Sequence, residues 1–150
     1  MFQKPSNAFV AASWIALLSG VTAFIVGLWN ANMELNEKGY YFTVLMFGLY
    51  SAVSLQKSVR DRAEGIPVTS IFLGLSWAMV LVSLVLVATG LANSSLALSE
   101  KGFYGLGYAM ALFSVVAVQK NVRDLAAAAP APAPAPAVSA QPDVKATVWQ

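Results

Sequence analysis

Four polar residues with a fixed spacing occur twice in this sequence, and they are the side chains best suited to bind a charged ligand. The two copies are Gln56-Lys57-x-x-Arg60-Asp61 and Gln119-Lys120-x-x-Arg123-Asp124. Residues four apart share a helix face, so each copy predicts a Lys–Asp ion pair. The basic side chains also suit the negative end of a helix dipole. Two interpretations follow: a positively charged membrane stop with local pairing, or paired cationic sites for anionic lipid headgroups or an acidic partner.

A second repeated polar group precedes the shorter uncharged segments. Glu37-Lys38-Gly39 recurs as Glu100-Lys101-Gly102, and Asn30 recurs as Asn93. A glutamate ahead of a helix is favourable to the dipole, and glycine permits a tight turn. The group therefore predicts either two helix starts or an outward-facing polar pocket. The pocket residues would be Asn30, Glu37, Lys38, Asn93, Glu100 and Lys101.

The sequence lacks the residues on which most catalytic and metal sites depend. It has no Cys and no His, which excludes thiolate chemistry, disulfides and imidazole ligation. The remaining Ser, Tyr, Lys, Asp and Glu residues show no spacing typical of a nucleophile with its base and orienting group. The net charge of +2 is too small for a nucleic-acid surface. We predict a protein that is not an enzyme, needs no cofactor or metal and binds no nucleic acid.

Both polar groups recur because the chain contains an internal duplication. Landmarks of the first half return 63 residues later without a gap, such as Trp14 as Trp77 and Gly27 as Gly90. A solenoid would need at least about three repeats. We therefore predict two copies of one two-helix unit, over residues 5–67 and 68–129.

Long uncharged segments predict that these helices cross a membrane. The chain is 58% hydrophobic and 11% charged, whereas about 25% charged residues is usual in soluble domains. Residues 8–29 and 68–99 contain no ionisable side chain, and each exceeds the roughly 20 residues that span a bilayer. Residues 39–56 and 102–119 are also uncharged but lie at the short end of that range. The predicted fold class is an all-α membrane protein with four transmembrane helices, arranged as two parallel helical-hairpin repeats.

The distribution of basic residues predicts the orientation. Lys38 and Lys101 lie at one end of the predicted helices, and all other Lys and Arg residues lie at the opposite end or in the tail. The positive-inside rule then places both termini in the cytoplasm. Parallel repeats differ from the inverted repeats of many alternating-access carriers. The predicted spans also lack the Asp, Glu or His that a proton-coupled pump requires.

Small residues on the first helix predict close packing. Ala8, Ala12, Ala16 and Gly20 recur at four-residue spacing, and small side chains let helix backbones approach in lipid. Two interpretations remain open: packing within the four-helix bundle, or homodimerisation through this helix.

The end of the chain has a different composition. Alanine and proline alternate from Ala129 to Ala137, a pattern that favours extended polyproline II rather than helix or sheet. Residues 130–150 are therefore predicted to be a disordered Ala/Pro-rich tail. Trp149 in this tail would dock on a partner, return to the membrane surface or belong to a dispensable terminus.

The duplicated unit, with its Trp, Asn, Glu-Lys-Gly-aromatic-Tyr and Gln-Lys-x-x-Arg-Asp landmarks, resembles the YiaA/YiaB two-helix family of bacterial inner-membrane proteins over about residues 5–125. The resemblance implies an integral, multi-pass protein of the inner membrane and carries over no catalytic or binding residues. We expect a non-enzymatic accessory or scaffold component. Its partners would be the lipid bilayer and either further copies of the chain or another inner-membrane protein. The alternatives are a small oligomeric channel or facilitator and, more weakly, an anionic-lipid-binding protein.

Overall fold

A computed structural model describes residues 5–128, which form four α-helices. They are α1 (Asn7–Asn30), α2 (Leu35–Ala63), α3 (Ser70–Asn93) and α4 (Leu98–Ala127). The predicted all-helical architecture with two helices per repeat is confirmed for this part of the chain. The predicted tail, residues 130–150 with Trp149, lies outside the described residues.

The first helix of each repeat begins with the same cap. The Ser6 hydroxyl accepts a hydrogen bond from the Phe9 N–H, and the Thr69 hydroxyl accepts one from the Phe72 N–H, each at 3.2 Å. A Ser or Thr side chain in this place satisfies a backbone donor that has no partner inside the helix. The duplication therefore extends to the hydrogen bonds that start the helices.

Three of the described helices have the length and composition of membrane spans. The most apolar 18-residue windows of α1, α3 and α4 have mean hydropathies of 2.1, 2.5 and 1.4. Helix α2 has 29 residues, but three tyrosines (Tyr40, Tyr41 and Tyr50) and two serines make its uncharged stretch more polar. A fourth membrane span through α2 thus stays a prediction.

The two repeats are interlocked rather than placed side by side. Helix α1 packs chiefly on α4, and α3 packs chiefly on α2, whereas the two helices of one repeat hardly touch. Helices α2 and α4 pack on each other at the centre. The two helices of each predicted hairpin are therefore consecutive in the chain but do not pack chiefly on each other. The outer helices, α1 and α3, each pack on the inner helix of the other repeat, α4 or α2.

The core lies around a pseudo-twofold axis between α2 and α4. Tyr41 and Tyr104, which occupy equivalent positions in the two repeats, stack across this axis with ring centroids 6.2 Å apart and planes 19° apart. Offset stacking at this distance is favourable for aromatic pairs. The buried core residues are Phe24, Leu28, Tyr41, Val44, Leu45, Val87, Leu91, Tyr104, Tyr108 and Ala111.

The recurring glycines Gly27 and Gly90 leave room for an aromatic ring of the other repeat. A Cβ at Gly27 would lie 2.7 Å from Cε1 of Phe103, and one at Gly90 would lie 2.7 Å from Cε1 of Tyr40. Both rings come from the aromatic position of the Glu-Lys-Gly-aromatic-Tyr landmark. The glycine and the aromatic residue are repeated together because they form one contact between repeats.

The predicted small face of α1 is used in part within the chain. A Cβ at Gly20 would lie 3.1 Å from the backbone nitrogen of Ala111 in α4, so the two backbones approach closely there. Ala8 and Ala12, by contrast, are exposed. The buried face of α1 is instead formed by Ser13, Gly20, Phe24 and Leu28.

Candidate functional site at the charged end of the bundle

The C-terminal ends of α2 and α4 bring both copies of the Gln-Lys-x-x-Arg-Asp group to one end of the bundle, called here the charged end. Within each copy the lysine ammonium contacts the aspartate four residues later. The Lys57–Asp61 distance is 2.9 Å and the Lys120–Asp124 distance is 3.0 Å. These are the two pairs that the helical spacing predicts.

The arginines pair across the repeats. Nη2 of Arg60 lies 2.8 Å from Oδ1 of Asp124, and Nη1 of Arg123 lies 2.9 Å from Oδ1 of Asp61. Each aspartate thus accepts from a lysine of its own helix and from an arginine of the other. Because equivalent residues exchange partners, the two copies form one reciprocal cluster that joins α2 to α4.

Glu64 makes this cluster asymmetric. Its carboxylate lies 2.8 Å from Nε of Arg60 and also pairs with Nη2 of Arg123. The equivalent position in the second repeat is Ala127. The whole set is called here the ion-pair clamp, and it consists of Lys57, Arg60, Asp61, Glu64, Lys120, Arg123 and Asp124.

The environment of the clamp keeps its aspartates charged. Hydrogen bonds from Lys57 and Arg123 hold the pKa of Asp61 below its usual value. Burial raises the pKa of Asp124, but hydrogen bonds from Lys120 and Arg60 outweigh it, so that this pKa is lowered as well. Both carboxylates are therefore ionised at neutral pH and available to the arginines.

Exposure differs sharply between the members of the clamp. The Asp61 and Asp124 side chains are 10% and 13% exposed, whereas those of Lys57 and Lys120 are 65% and 60% exposed. The arginines predicted as lipid or partner contacts are thus already engaged in internal ion pairs. The lysine ammonium groups are the cationic atoms of the two copies that remain most open to solvent or headgroups.

Two buried polar contacts lie deeper in the bundle, one for each repeat. Nδ2 of Asn121 donates to the Ser13 hydroxyl at 3.0 Å, and the hydroxyls of Ser58 and Ser76 lie 3.4 Å apart. These pairs also occupy equivalent positions, and each joins an inner helix to the outer helix of the other repeat. The sequence analysis missed them, although a polar residue that recurs inside a long helix was a usable signal.

A lateral groove with a volume of about 860 Å³ opens between α2, α3 and α4 at the charged end. Its walls are apolar and include Leu55, Val59, Trp77, Val80, Phe113 and Val116. Its rim is polar and includes Gln56, Arg60, Glu64, Lys120 and Asp124. Gln119, the counterpart of Gln56, is half-buried and does not line this groove. The groove was not foreseen from sequence because its walls come from three helices.

At the opposite end, the Glu-Lys-Gly groups start α2 and α4. The Glu37 carboxylate accepts from the Glu34 N–H at 3.1 Å, and the Glu100 carboxylate accepts from the Ala97 N–H at 2.8 Å. A glutamate carboxylate that reaches back in this way satisfies a backbone donor at the helix start. Lys38 and Lys101 each donate to the last turn of the preceding helix, through the carbonyls of Trp29 at 3.0 Å and Ala92 at 3.3 Å. These residues thus fix the two short connections.

The residues predicted to line an outward-facing pocket are divided between two shallow cavities of about 290 Å³ each. Glu37 and Asn93 line one cavity, and Asn30 and Glu100 line the other. Both asparagine amides fold back onto their own helices, where they donate to the Val26 and Thr89 carbonyls at 2.8 Å. Lys38 and Lys101 line neither cavity, because their ammonium groups are turned to the preceding helix.

The described part of the chain, residues 5–128, contains no group of three or more His, Cys, Asp or Glu residues that could hold a metal ion. The carboxylates that do converge, Asp61, Glu64 and Asp124, are paired with Lys or Arg. The polar chemistry seen at the charged end is therefore that of ion pairing between helices.

A duplicated two-helix unit, apolar helices of membrane-spanning length and a reciprocal ion-pair clamp define a helical integral membrane protein with internal pseudo-twofold symmetry. The chain belongs to the YiaA/B two helix domain family, whose model matches it twice, at residues 9–61 and 72–124. The resemblance noted from the repeated landmarks is thereby confirmed.

Two bacterial membrane proteins are similar to the chain in sequence. The chain is 56% identical over 119 residues to the inner membrane protein YiaA of Escherichia coli (strain K12), with 79% of this chain and 82% of that protein covered. It is 45% identical over 63 residues to the membrane protein YubF of Bacillus subtilis (strain 168), with 41% of this chain and 72% of that protein covered. YubF is thus too short to hold two units of this length. No solved structure matches the chain. The relatives and the apolar helices support an inner-membrane location.

Proposed function

We propose that the protein is a multi-pass, non-enzymatic accessory or scaffold component of the bacterial inner membrane. The reciprocal pairing of Arg60 with Asp124 and of Arg123 with Asp61 carries this proposal. The side chains that are best suited to bind a charged ligand instead form ion pairs that hold the two repeats together. A bundle locked in this way is suited to contact other membrane components rather than to transform a substrate.

In this proposal α2 is the fourth membrane span. It lies beside α4 at the centre of the bundle, and its 29 residues reach roughly 43 Å at 1.5 Å per residue. Tyr41, Val44 and Leu45 of α2 are buried against other helices, so a span with lower hydropathy is tolerated there. The positive-inside rule then places the charged end and both termini in the cytoplasm.

Extraction of the full-length protein from native membranes into polymer discs tests the proposed role. The mass and the protein composition of the particle are the readouts. A second membrane protein in fixed stoichiometry is the expected result. A particle that contains only copies of this chain would contradict the accessory role and favour a small channel or facilitator, which flux into reconstituted vesicles would then measure.

The two alternative functions receive less support from the geometry. Leu45, Tyr108 and Ala111 are fully or almost fully buried between the helices, so a pore would require several copies of the chain. Binding of anionic lipids by the repeated basic group would depend mainly on Lys57 and Lys120, because both arginines face carboxylates.

A further inference from the structure

We propose that the lateral groove between α2, α3 and α4 binds one phospholipid with a zwitterionic headgroup, phosphatidylethanolamine, from the leaflet at the charged end. The inference concerns a binding site and goes beyond the accessory role. It stands on the shape of the groove, the character of its walls and the charges on its rim.

The groove has the dimensions of a site for a lipid chain. On α4 its lining extends from Leu112 to Asp124, which is about 18 Å at 1.5 Å per residue. One leaflet contributes about half of a hydrocarbon core that is about 30 Å thick. The volume of about 860 Å³ also lies within the range of about 300–1,000 Å³ that is usual for ligand sites. An acyl chain in the groove would therefore keep its headgroup level with the rim.

The walls of the groove present large, exposed apolar side chains that an acyl chain could contact. Trp77 on α3 is 52% exposed and Phe113 on α4 is 78% exposed, and both line the groove. Neither ring takes part in an aromatic contact within the described residues. A chain lying between them would cover apolar surface that the bundle itself leaves uncovered.

The rim carries charges of both signs, and this selects the headgroup. Lys120 offers a donor for a phosphate, because its side chain is 60% exposed at the rim of the groove. A phosphate oxygen at the rim would accept a charge-assisted hydrogen bond from this ammonium group. Glu64 and Asp124 offer acceptors for an ammonium group, and a purely anionic headgroup would meet repulsion from these carboxylates. A quaternary ammonium has no N–H to donate, so the primary ammonium of phosphatidylethanolamine fits best.

Glu64 links this selectivity to one side of the molecule. It is the rim residue whose counterpart in the second repeat, Ala127, has no carboxylate. The headgroup site is therefore not duplicated with the rest of the sequence, and one bound lipid per chain is expected.

Tryptophan quenching tests the site in full-length protein. Trp77 is kept as the sole tryptophan by the changes Trp14→Phe, Trp29→Phe and Trp149→Phe, and a matched variant keeps Trp29, which is 82% exposed at the opposite end. Both are placed in phosphatidylcholine vesicles with a rising fraction of phosphatidylethanolamine brominated on one acyl chain. Quenching of Trp77 should saturate at a low fraction, whereas quenching of Trp29 should rise in proportion. Coincident curves would overturn the proposal, as would equal quenching of Trp77 by brominated phosphatidylglycerol.

Two further variants separate the groove from general effects on folding. Val80→Phe fills the groove, so quenching of Trp77 should then rise in proportion to the brominated lipid instead of saturating. Val85→Phe is the control, because Val85 lies on the same helix outside the groove and is 62% exposed. This control should leave the saturation of Trp77 quenching unchanged. Glu64→Gln should lower the preference for phosphatidylethanolamine over phosphatidylglycerol by about tenfold, the effect of one charge-assisted hydrogen bond. Unchanged saturation in Val80→Phe, with normal helix content, would contradict the site.

Discussion

Nη2 of Arg60 lies 2.8 Å from Oδ1 of Asp124, which is 64 residues further along the chain. The equivalent residues are paired in the opposite sense, with Nη1 of Arg123 2.9 Å from Oδ1 of Asp61. A duplicated sequence has thus produced a pair of ion pairs in which each repeat holds the other. The resulting bond between α2 and α4 is the main chemical feature of the charged end.

Loss of one cross-repeat pair should destabilise the bundle. Asp124→Asn removes the acceptor of Arg60 and should lower the free energy of unfolding by about 1–2 kcal/mol, as expected for a charge-assisted bond that is partly shielded from water. Arg60→Gln combined with Asp124→Asn should cost less than the sum of the single changes. Denaturation of the detergent-solubilised protein, followed by circular dichroism, provides the measurement. Strict additivity would show that the two side chains do not interact.

Acid should weaken the same clamp. The pKa of Asp61 is lowered in the folded protein, so its contribution to stability is present above the unfolded value of about 3.9. That contribution is lost as the pH falls through the lower folded value, because the unfolded chain then binds more protons. The unfolding midpoint should therefore drop as the pH is lowered below about 4. Asp61→Asn should flatten this dependence, and an unchanged slope in that variant would argue against the role of Asp61.

Gly48 and Tyr108 form a size-matched pair. A Cβ at Gly48 would overlap the Tyr108 hydroxyl oxygen, whereas the equivalent positions hold Ala111 and Leu45. Gly48→Ala should destabilise the protein by about 1–3 kcal/mol through overpacking. Adding Tyr108→Leu reproduces the Leu45 and Ala111 combination and should restore most of the loss. Thermal unfolding of the three variants checks this, and failure of the rescue would contradict the pairing.

The absence of native cysteine makes the membrane orientation directly measurable. Single cysteines at Asn36 and at Arg62 lie at opposite ends of α2. In intact cells a membrane-impermeant maleimide should label Asn36→Cys, and it should label Arg62→Cys only after the membrane is permeabilised. Labelling of both in intact cells, or of neither after permeabilisation, would contradict a spanning α2. The reverse pattern would invert the proposed orientation.

Local features were predictable from the sequence, and contacts between distant helices were not. The Lys57–Asp61 and Lys120–Asp124 pairs follow from helical spacing alone. The pairing of Arg60 with Asp124 depends on which helices are neighbours, and a hairpin repeat suggests the wrong neighbour for each outer helix. The same reason explains why the groove and the buried Asn121–Ser13 contact were missed.

The polar composition of α2 shows a second limit to what can be predicted from the sequence. Hydropathy alone rates it below the other three helices because of its tyrosines, yet Tyr41 is 4% exposed and lies at the pseudo-twofold axis. A helix that is covered by others does not need the apolar surface of one that faces lipid. Its position at the centre of the bundle therefore could not be inferred from composition.

The interlocked arrangement of the repeats can be tested most directly by cross-linking. Ser13→Cys and Asn121→Cys replace side chains whose polar atoms are 3.0 Å apart on α1 and α4. A short thiol-reactive cross-linker should bridge this pair rapidly in native membranes. The control pair, Ser13→Cys with Ser58→Cys, joins the equivalent positions within one repeat and should be bridged much more slowly. The opposite result would be rapid bridging of the control pair and no bridging of the Ser13–Asn121 pair. It would show that the repeats lie side by side, and it would contradict the interlocked bundle on which the clamp and the groove depend.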